Sequence, residues 1–185
     1  MKWIPYRFLL ILIISCTIIG CCKHEKDFLA QAQRLSTCDN VDSLIVSWEY
    51  LREANDETRD VVGMDIAKVI FHQADSLFFR HCDGANLDGA AKCLDVMDAI
   101  VSYFGAVLFA EELNNNNEPI RTEKGVDYTG RKEMLDMYKE RLADKYFEQA
   151  RSAERVLKLL PNDEDEQRLM VKSDSLAHKY YPLKY

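Results

Sequence analysis

Apolar residues recur at intervals of three and four along most of this chain, and that period limits the fold more than any other feature. Leu44, Trp48 and Leu51 share one face of a helix expected over residues 41–54. Val62, Ile66, Val69 or Ile70, Ala74 and Leu77 do the same over residues 57–81. The longest stripe joins Leu135, Tyr138, Leu142, Tyr146, Ala150, Ala153, Leu157 and Leu160 over residues 131–160. Strand-like alternation is missing, and glycine is scarce at 7 of 185 residues.

Three more helices complete the pattern. A short one fits residues 26–35, broken by 36–39. A fourth is expected over residues 87–113, after the turn-forming stretch CDGANLDG at 82–89. Its segment AIVSYFGAVLFA, residues 99–110, is apolar nearly all round and reads as a central helix. Ala99, Ser102, Ala106 and Ala110 would give it a small-residue ridge for close packing. The sixth starts at Asn162, with Asp163, Glu164 and Asp165 facing its positive dipole end; His178 and Lys179 sit near its end, and Pro182 stops it. Residues 114–130, with four asparagines, read as one long loop, either a plain linker or a partner contact. Six helices with mostly short turns predict an all-α fold: an irregular antiparallel helical bundle, or an array of helical hairpins.

The N-terminus carries a different message. Lys2 and Arg7 precede residues 8–19, twelve residues without charge. That is shorter than the ~20 apolar residues a bilayer-spanning helix needs, and suits an export signal. The run ends Ile18-Ile19-Gly20-Cys21, which resembles the lipobox of bacterial lipoproteins, with Ile19 where a smaller residue is commoner. The resemblance implies cleavage after Gly20, a diacylglyceryl thioether on Cys21, and anchoring by lipid. It divides the chain into a signal peptide (1–20), a lipid-anchored tether (21–27) and a single α-helical domain (28–185). Other readings stay open: a secreted protein cut nearby, a retained anchor, or lipidation at Cys16. Cys22 follows the lipidated residue; by resemblance to the lipoprotein sorting rule, the absence of Asp there points to the outer membrane.

Charge narrows the partners. Removing residues 1–20 takes Lys2 and Arg7 and no acid, leaving 22 basic against 31 acidic residues, a net charge of −9. Such a chain lacks the basic footprint that nucleic acid demands. Anionic lipid would not hold it either, so membrane association would rest on the anchor.

Cys38, Cys82 and Cys93 remain in the expected domain. If the helices alternate up and down, the turns at Cys38 and Cys82 share one end, and Cys93 lies one or two turns into the fourth helix from there. One disulfide among the three and three buried thiols are both open readings in an exported protein. His81, Cys82, Asp83 and Cys93, with His72, offer zinc-type donors. No paired C-x-x-C or H-x-x-x-H spacing accompanies them, and no metal or cofactor is assigned. Asp95 and Asp98 on the apolar fourth helix must be solvated, paired or protonated; the polar face is expected to hold them.

No nucleophile elbow, phosphate-binding loop, zinc-protease or dinucleotide motif occurs. FEQARSAERVLKLLPND, residues 147–163, resembles the second helix of a tetratricopeptide repeat with its closing Pro-Asn, over one half-repeat. The tail YYPLKY reads as a tyrosine cap on the core or an aromatic patch. The function expected is a non-enzymatic protein-binding or assembly module at the cell envelope. The alternatives are a periplasmic inhibitor or immunity-like protein for a basic partner, and a ligand-binding or hydrolytic domain with a site near the Cys82 turn.

Overall fold

The computed structural model describes residues 27–54, 60–105, 108, 120–122, 125–127 and 131–182, with backbone alone at 120–122 and 125–127. Cys16, Cys21, Cys22, Ala106, Ala110 and most of the 114–130 loop lie outside the described residues. The fold is an all-α antiparallel helical bundle. Its helices are α1 (27–36), α2 (Val41–Glu53), α3 (Val61–Asp83), α4 (Leu87–Phe104), α5 (Arg131–Leu157) and α6 (Glu164–Tyr180). A two-stranded antiparallel ribbon, β1 (Ile120–Thr122) and β2 (Gly125–Asp127), stands inside the stretch read as loop. Its register leaves only Glu123 and Lys124 between the strands. Three paired residues per strand are too few to register as alternation in the sequence.

The chain divides into two compact units, Met1–Ile70 and Phe71–Tyr185. In the first, α1 and α2 form a hairpin. Asn40 caps α2, its side chain accepting the Asp42 N–H at 2.8 Å. Leu44, Trp48 and Leu51 are buried as the spacing predicts. The buried Ser47 hydroxyl donates to the Ala32 carbonyl at 2.6 Å, and Phe28 meets Tyr50 with ring centres 6.0 Å apart. The Ser47–Ala32 bond joins the middles of the two helices and the Phe28–Tyr50 contact joins the start of α1 to the end of α2, so the helices are antiparallel. Ile66, Ala67 and Ile70 of α3 are buried, whereas Val62 is 55% exposed and Val69 37%. The stripe expected on α3 therefore begins one turn later: helical period fixes which residues share a face, not where a neighbour begins to cover it.

In the second unit the remainder of α3 packs with α4, α5 and α6. Tyr138 donates to Asp75 at 2.6 Å and Arg141 to Asp83 at 3.1 Å, so α3 and α5 run in the same direction. Lys139 reaches Asp98 at 3.1 Å and Tyr146 reaches Asp88 at 3.4 Å, so α4 opposes α5. Ser173 pairs with Gln149, and Tyr180 stacks on Tyr146, so α6 returns along α5. Phe71, Phe78, Leu94, Met97, Ile100, Leu135 and Leu142 fill the centre. On α5, Ala150 and Ala153 are buried as expected, but Leu160 falls past the helix end and is 57% exposed.

Helix α4 stops at Phe104 rather than 113, because Gly105 takes φ +60° and breaks the ladder while its N–H still reaches the Val101 carbonyl. The small-residue ridge is not realised among the described residues: Ser102 is exposed and Ala99 only half-buried. Leu87, Ala90, Cys93, Leu94, Val96, Met97, Ile100 and Val101 supply the buried face instead. Helix α6 starts at Glu164, two residues after the expected Asn162, because Asp163 stands outside it as the cap and accepts the N–H groups of Asp165 and Glu166 at 3.1 Å.

Candidate functional site

The α3–α4 corner brings together four of the chemistry-bearing residues singled out in the sequence: His81, Cys82, Asp83 and Cys93. Gly84, Ala85 and Asn86 are its whole connection, since Cys82 and Asp83 still belong to α3. The Asn86 N–H donates to the His81 carbonyl at 2.9 Å and closes α3. Its side-chain oxygen accepts the Gly89 N–H at 3.1 Å and caps α4. Its amide nitrogen lies 3.1 Å from His81 Nδ1. An amide nitrogen can only donate, so Nδ1 accepts and the imidazole proton sits on Nε2. That Nε2 is buried without a hydrogen-bond partner. Gly89 is required beside this cap: a Cβ there would stand 2.6 Å from Asn86 Nδ2 and 3.1 Å from His81 Cδ2.

Cys82 and Cys93 are both buried free thiols at this corner, on α3 and α4. Burial raises the Cys82 thiol, and the Arg141 guanidinium acts against that rise. Burial pushes the Cys93 thiol up to about 12, with Cys82 adding to the shift. Cys38, in the other unit, is a half-exposed free thiol on the turn after α1, its sulfur 3.9 Å from the Arg34 carbonyl. Asp83 turns outward to Arg141 at 3.1 Å, and His72 is exposed. Among the described residues no group of three or more His, Cys, Asp or Glu side chains is placed to hold a metal ion.

Asp98 pairs with Lys139 at 3.1 Å, and Asp95 has an exposed side chain. Partial desolvation raises the Asp95 carboxyl, and Lys179 of α6 opposes that rise. Both acids occupy the polar side of α4.

Beside the corner, Tyr146 is 2% exposed, with its hydroxyl 3.4 Å from Asp88 and its ring stacked on Tyr180 at 6.1 Å. Burial and Asp88 both hold its phenol protonated well above the usual range. Lys172 of α6 grips both oxygens of Asp88, at 3.1 and 3.2 Å. A small polar notch of about 170 Å³ lies here, lined by Asn86, Asp88, Tyr146, Gln149 and Lys172 among others. Ligand pockets are commonly ~300–1,000 Å³, so the notch suits waters or an ion rather than a metabolite.

Past this level the α5–α6 hairpin continues without α3 or α4. Asp88 stands opposite Tyr146, yet α5 ends only at Leu157. At 1.5 Å per residue those last eleven residues extend the hairpin by roughly 16 Å. The segment resembling half a tetratricopeptide repeat is therefore the far half of one continuous helix and its turn. Along this extension Phe147, Ala150, Met170 and Val171 floor an open groove of about 520 Å³, with Arg151, Glu154 and Asp174 at its rim. Leu159 is 83% exposed, Leu160 57% and Val171 63%. The sequence did not reveal this surface, because residues 157 and 160 continue the stripe that buries Leu142 and Ala150.

Among the described residues no helix is long and apolar enough to cross a membrane. No protein family matches this chain, and neither the curated proteins nor the solved structures searched include one with significant similarity.

Proposed function

We propose that this chain is a lipid-anchored cell-envelope protein, tethered through Cys21, that binds a protein partner with its α5–α6 hairpin. The observation that carries the reading is the hairpin's extension beyond the ends of α3 and α4 at the corner, with Leu159, Leu160 and Val171 exposed. Exposed apolar side chains grouped on one projection mark a contact surface more often than isolated ones do. Asp163, Glu164, Asp165 and Glu166 crowd the first turn of α6 beside them. A partner with an apolar face and a basic rim would complement both features.

The anchor is supported by the Ile18-Ile19-Gly20-Cys21 sequence and its uncharged run. Metabolic labelling with a fatty-acid analogue should vanish in Cys21→Ala and persist in Cys16→Ala and Cys22→Ala. Label retained by Cys21→Ala defeats the anchor. For the binding surface, envelope proteins are crosslinked to the wild type and to a Leu159→Ser/Leu160→Ser/Val171→Ser variant. A partner captured equally by both does not use the hairpin.

A further inference from the structure

We propose that Cys82 and Cys93 are a disulfide-forming pair that staples the end of α3 to the start of α4. The two sulfurs belong to neighbouring antiparallel helices joined by only three residues. Cys82 occupies the last turn of α3, and Cys93 lies within the second turn of α4. Helical side chains lean toward their own N-terminus. Cys82 therefore leans away from the corner and Cys93 toward it, which brings the two sulfurs closer along the hairpin axis. Both residues are in the same core, 3% and 0% exposed, and the Cys93 thiol responds to the Cys82 sulfur. Cys38 belongs to the other unit, on the half-exposed turn after α1.

The step is a dithiol–disulfide exchange. The Cys82 thiolate attacks one sulfur of an external disulfide, breaks its S–S bond and releases one thiolate. The Cys93 thiolate then attacks the Cys82 sulfur of the mixed disulfide and releases the second. Two electrons end on the external disulfide as two thiols, which take up the two protons lost by Cys82 and Cys93. Thiolate is the attacking species, and burial leaves little of it at either site in the folded protein. The bond therefore closes while the chain folds, and the folded thiol form resists oxidation. In the cell the external disulfide is that of an exported thiol oxidant, so this part rests on the export reading above.

The test uses the mature chain, residues 21–185, reduced and unfolded, then refolded in a glutathione/glutathione-disulfide buffer, alkylated and digested with trypsin without reduction. Cleavage after Arg80, Lys92 and Arg121 puts Cys82 and Cys93 on separate peptides. The expected product is residues 81–92 joined to residues 93–121, with Cys38 alkylated. Closing a loop of this size should raise the melting midpoint by roughly 6–12 °C over the reduced protein. Oxidant added to the already folded, reduced chain should form the bond at least tenfold more slowly. Cys93→Ala should abolish the joined peptide, and Cys38→Ala should leave it intact. If Cys93→Ala does not fold, the wild-type peptide map still decides. Alkylated Cys82 and Cys93 in the refolded wild type, or a bond from either to Cys38, overturns the proposal. A bond formed in the buffer but missing from protein isolated from cells leaves the pair standing and removes the export reading.

Discussion

The Tyr146 hydroxyl of α5 lies 3.4 Å from Oδ1 of Asp88 in α4, and Lys172 of α6 reaches the same carboxylate at 3.1 and 3.2 Å. Three helices are thereby held at one level. The ion pair is exposed, with side-chain accessibilities of 58% for Lys172 and 67% for Asp88. Exposed pairs contribute ~0.2–1 kcal/mol. Lys172→Ala should accordingly lower stability by less than about 1 kcal/mol in urea unfolding. Tyr146→Ala removes a buried ring and should cost about 3–5 kcal/mol.

Burial raises the phenols of Tyr138, Tyr146 and Tyr180 above the ordinary value of 10.0. The unfolded chain loses these protons near its ordinary value while the folded chain keeps them. Their contribution is fully present below pH ~10 and is lost as pH climbs through the folded values. Urea unfolding at several pH values should show stability falling above pH ~10, and Tyr146→Phe should flatten that fall. A decline of equal slope in Tyr146→Phe would count against the assignment.

Ala85 holds a left-handed conformation, φ 59°, where α3 ends. Glycine adopts it without the Cβ penalty, so Ala85→Gly should stabilise the protein by about 0.5–1 kcal/mol. Gly89→Ala should act in the opposite direction, because its Cβ would displace the Asn86 side chain that caps α4. Losing such a cap costs about 0.5–2 kcal/mol. Melting midpoints of the two variants should move apart from the wild type; movement in the same direction would show that the corner is arranged otherwise.

The hydroxyl of Ser47 has no access to water and depends on the Ala32 carbonyl, 2.6 Å away. Ser47→Ala should cost about 0.5–1.5 kcal/mol, the usual net worth of one hydrogen bond. Amide exchange should quicken chiefly in residues 27–54.

The Leu159→Ser/Leu160→Ser/Val171→Ser variant alters side chains that already face water. Each change should shift stability by no more than about 0.5 kcal/mol. Intact folding by circular dichroism together with lost crosslinking would separate binding from stability.

Helix existence was readable because its period is local: Leu44, Trp48 and Leu51 declare a face wherever the rest of the chain goes. The start of α6 was readable to within two residues, since Asp163 and the acids after it act on their own helix end. What a face meets is not local. Val62 and Leu160 continue their stripes correctly, yet both side chains are more than half exposed. Gly105 ended α4 within an apolar run whose composition favoured helix, because a backbone turning to φ +60° outweighs propensity. The composition of residues 82–89 marks a turn, but only Gly84, Ala85 and Asn86 lie between the helices. The corner's density of hydrogen bonds could not be foreseen, since Asn86 had to be placed before its three polar groups could find His81 and Gly89.

That Asn86 serves both helices bears on how this chain tolerates change in length. One residue inserted between Asp83 and Leu87 would change either the His81–Asn86 or the Asn86–Gly89 spacing, so Asn86 could no longer serve both helix ends. A circular permutant opened there would lose two helix ends in one cut, whereas a break between α5 and α6, at the exposed Leu159–Leu160 step, would cost only the local turn. The α3–α4 corner is thus the place where homologous chains should all be the same length, and the hairpin tip the place where the fold itself tolerates a change in length.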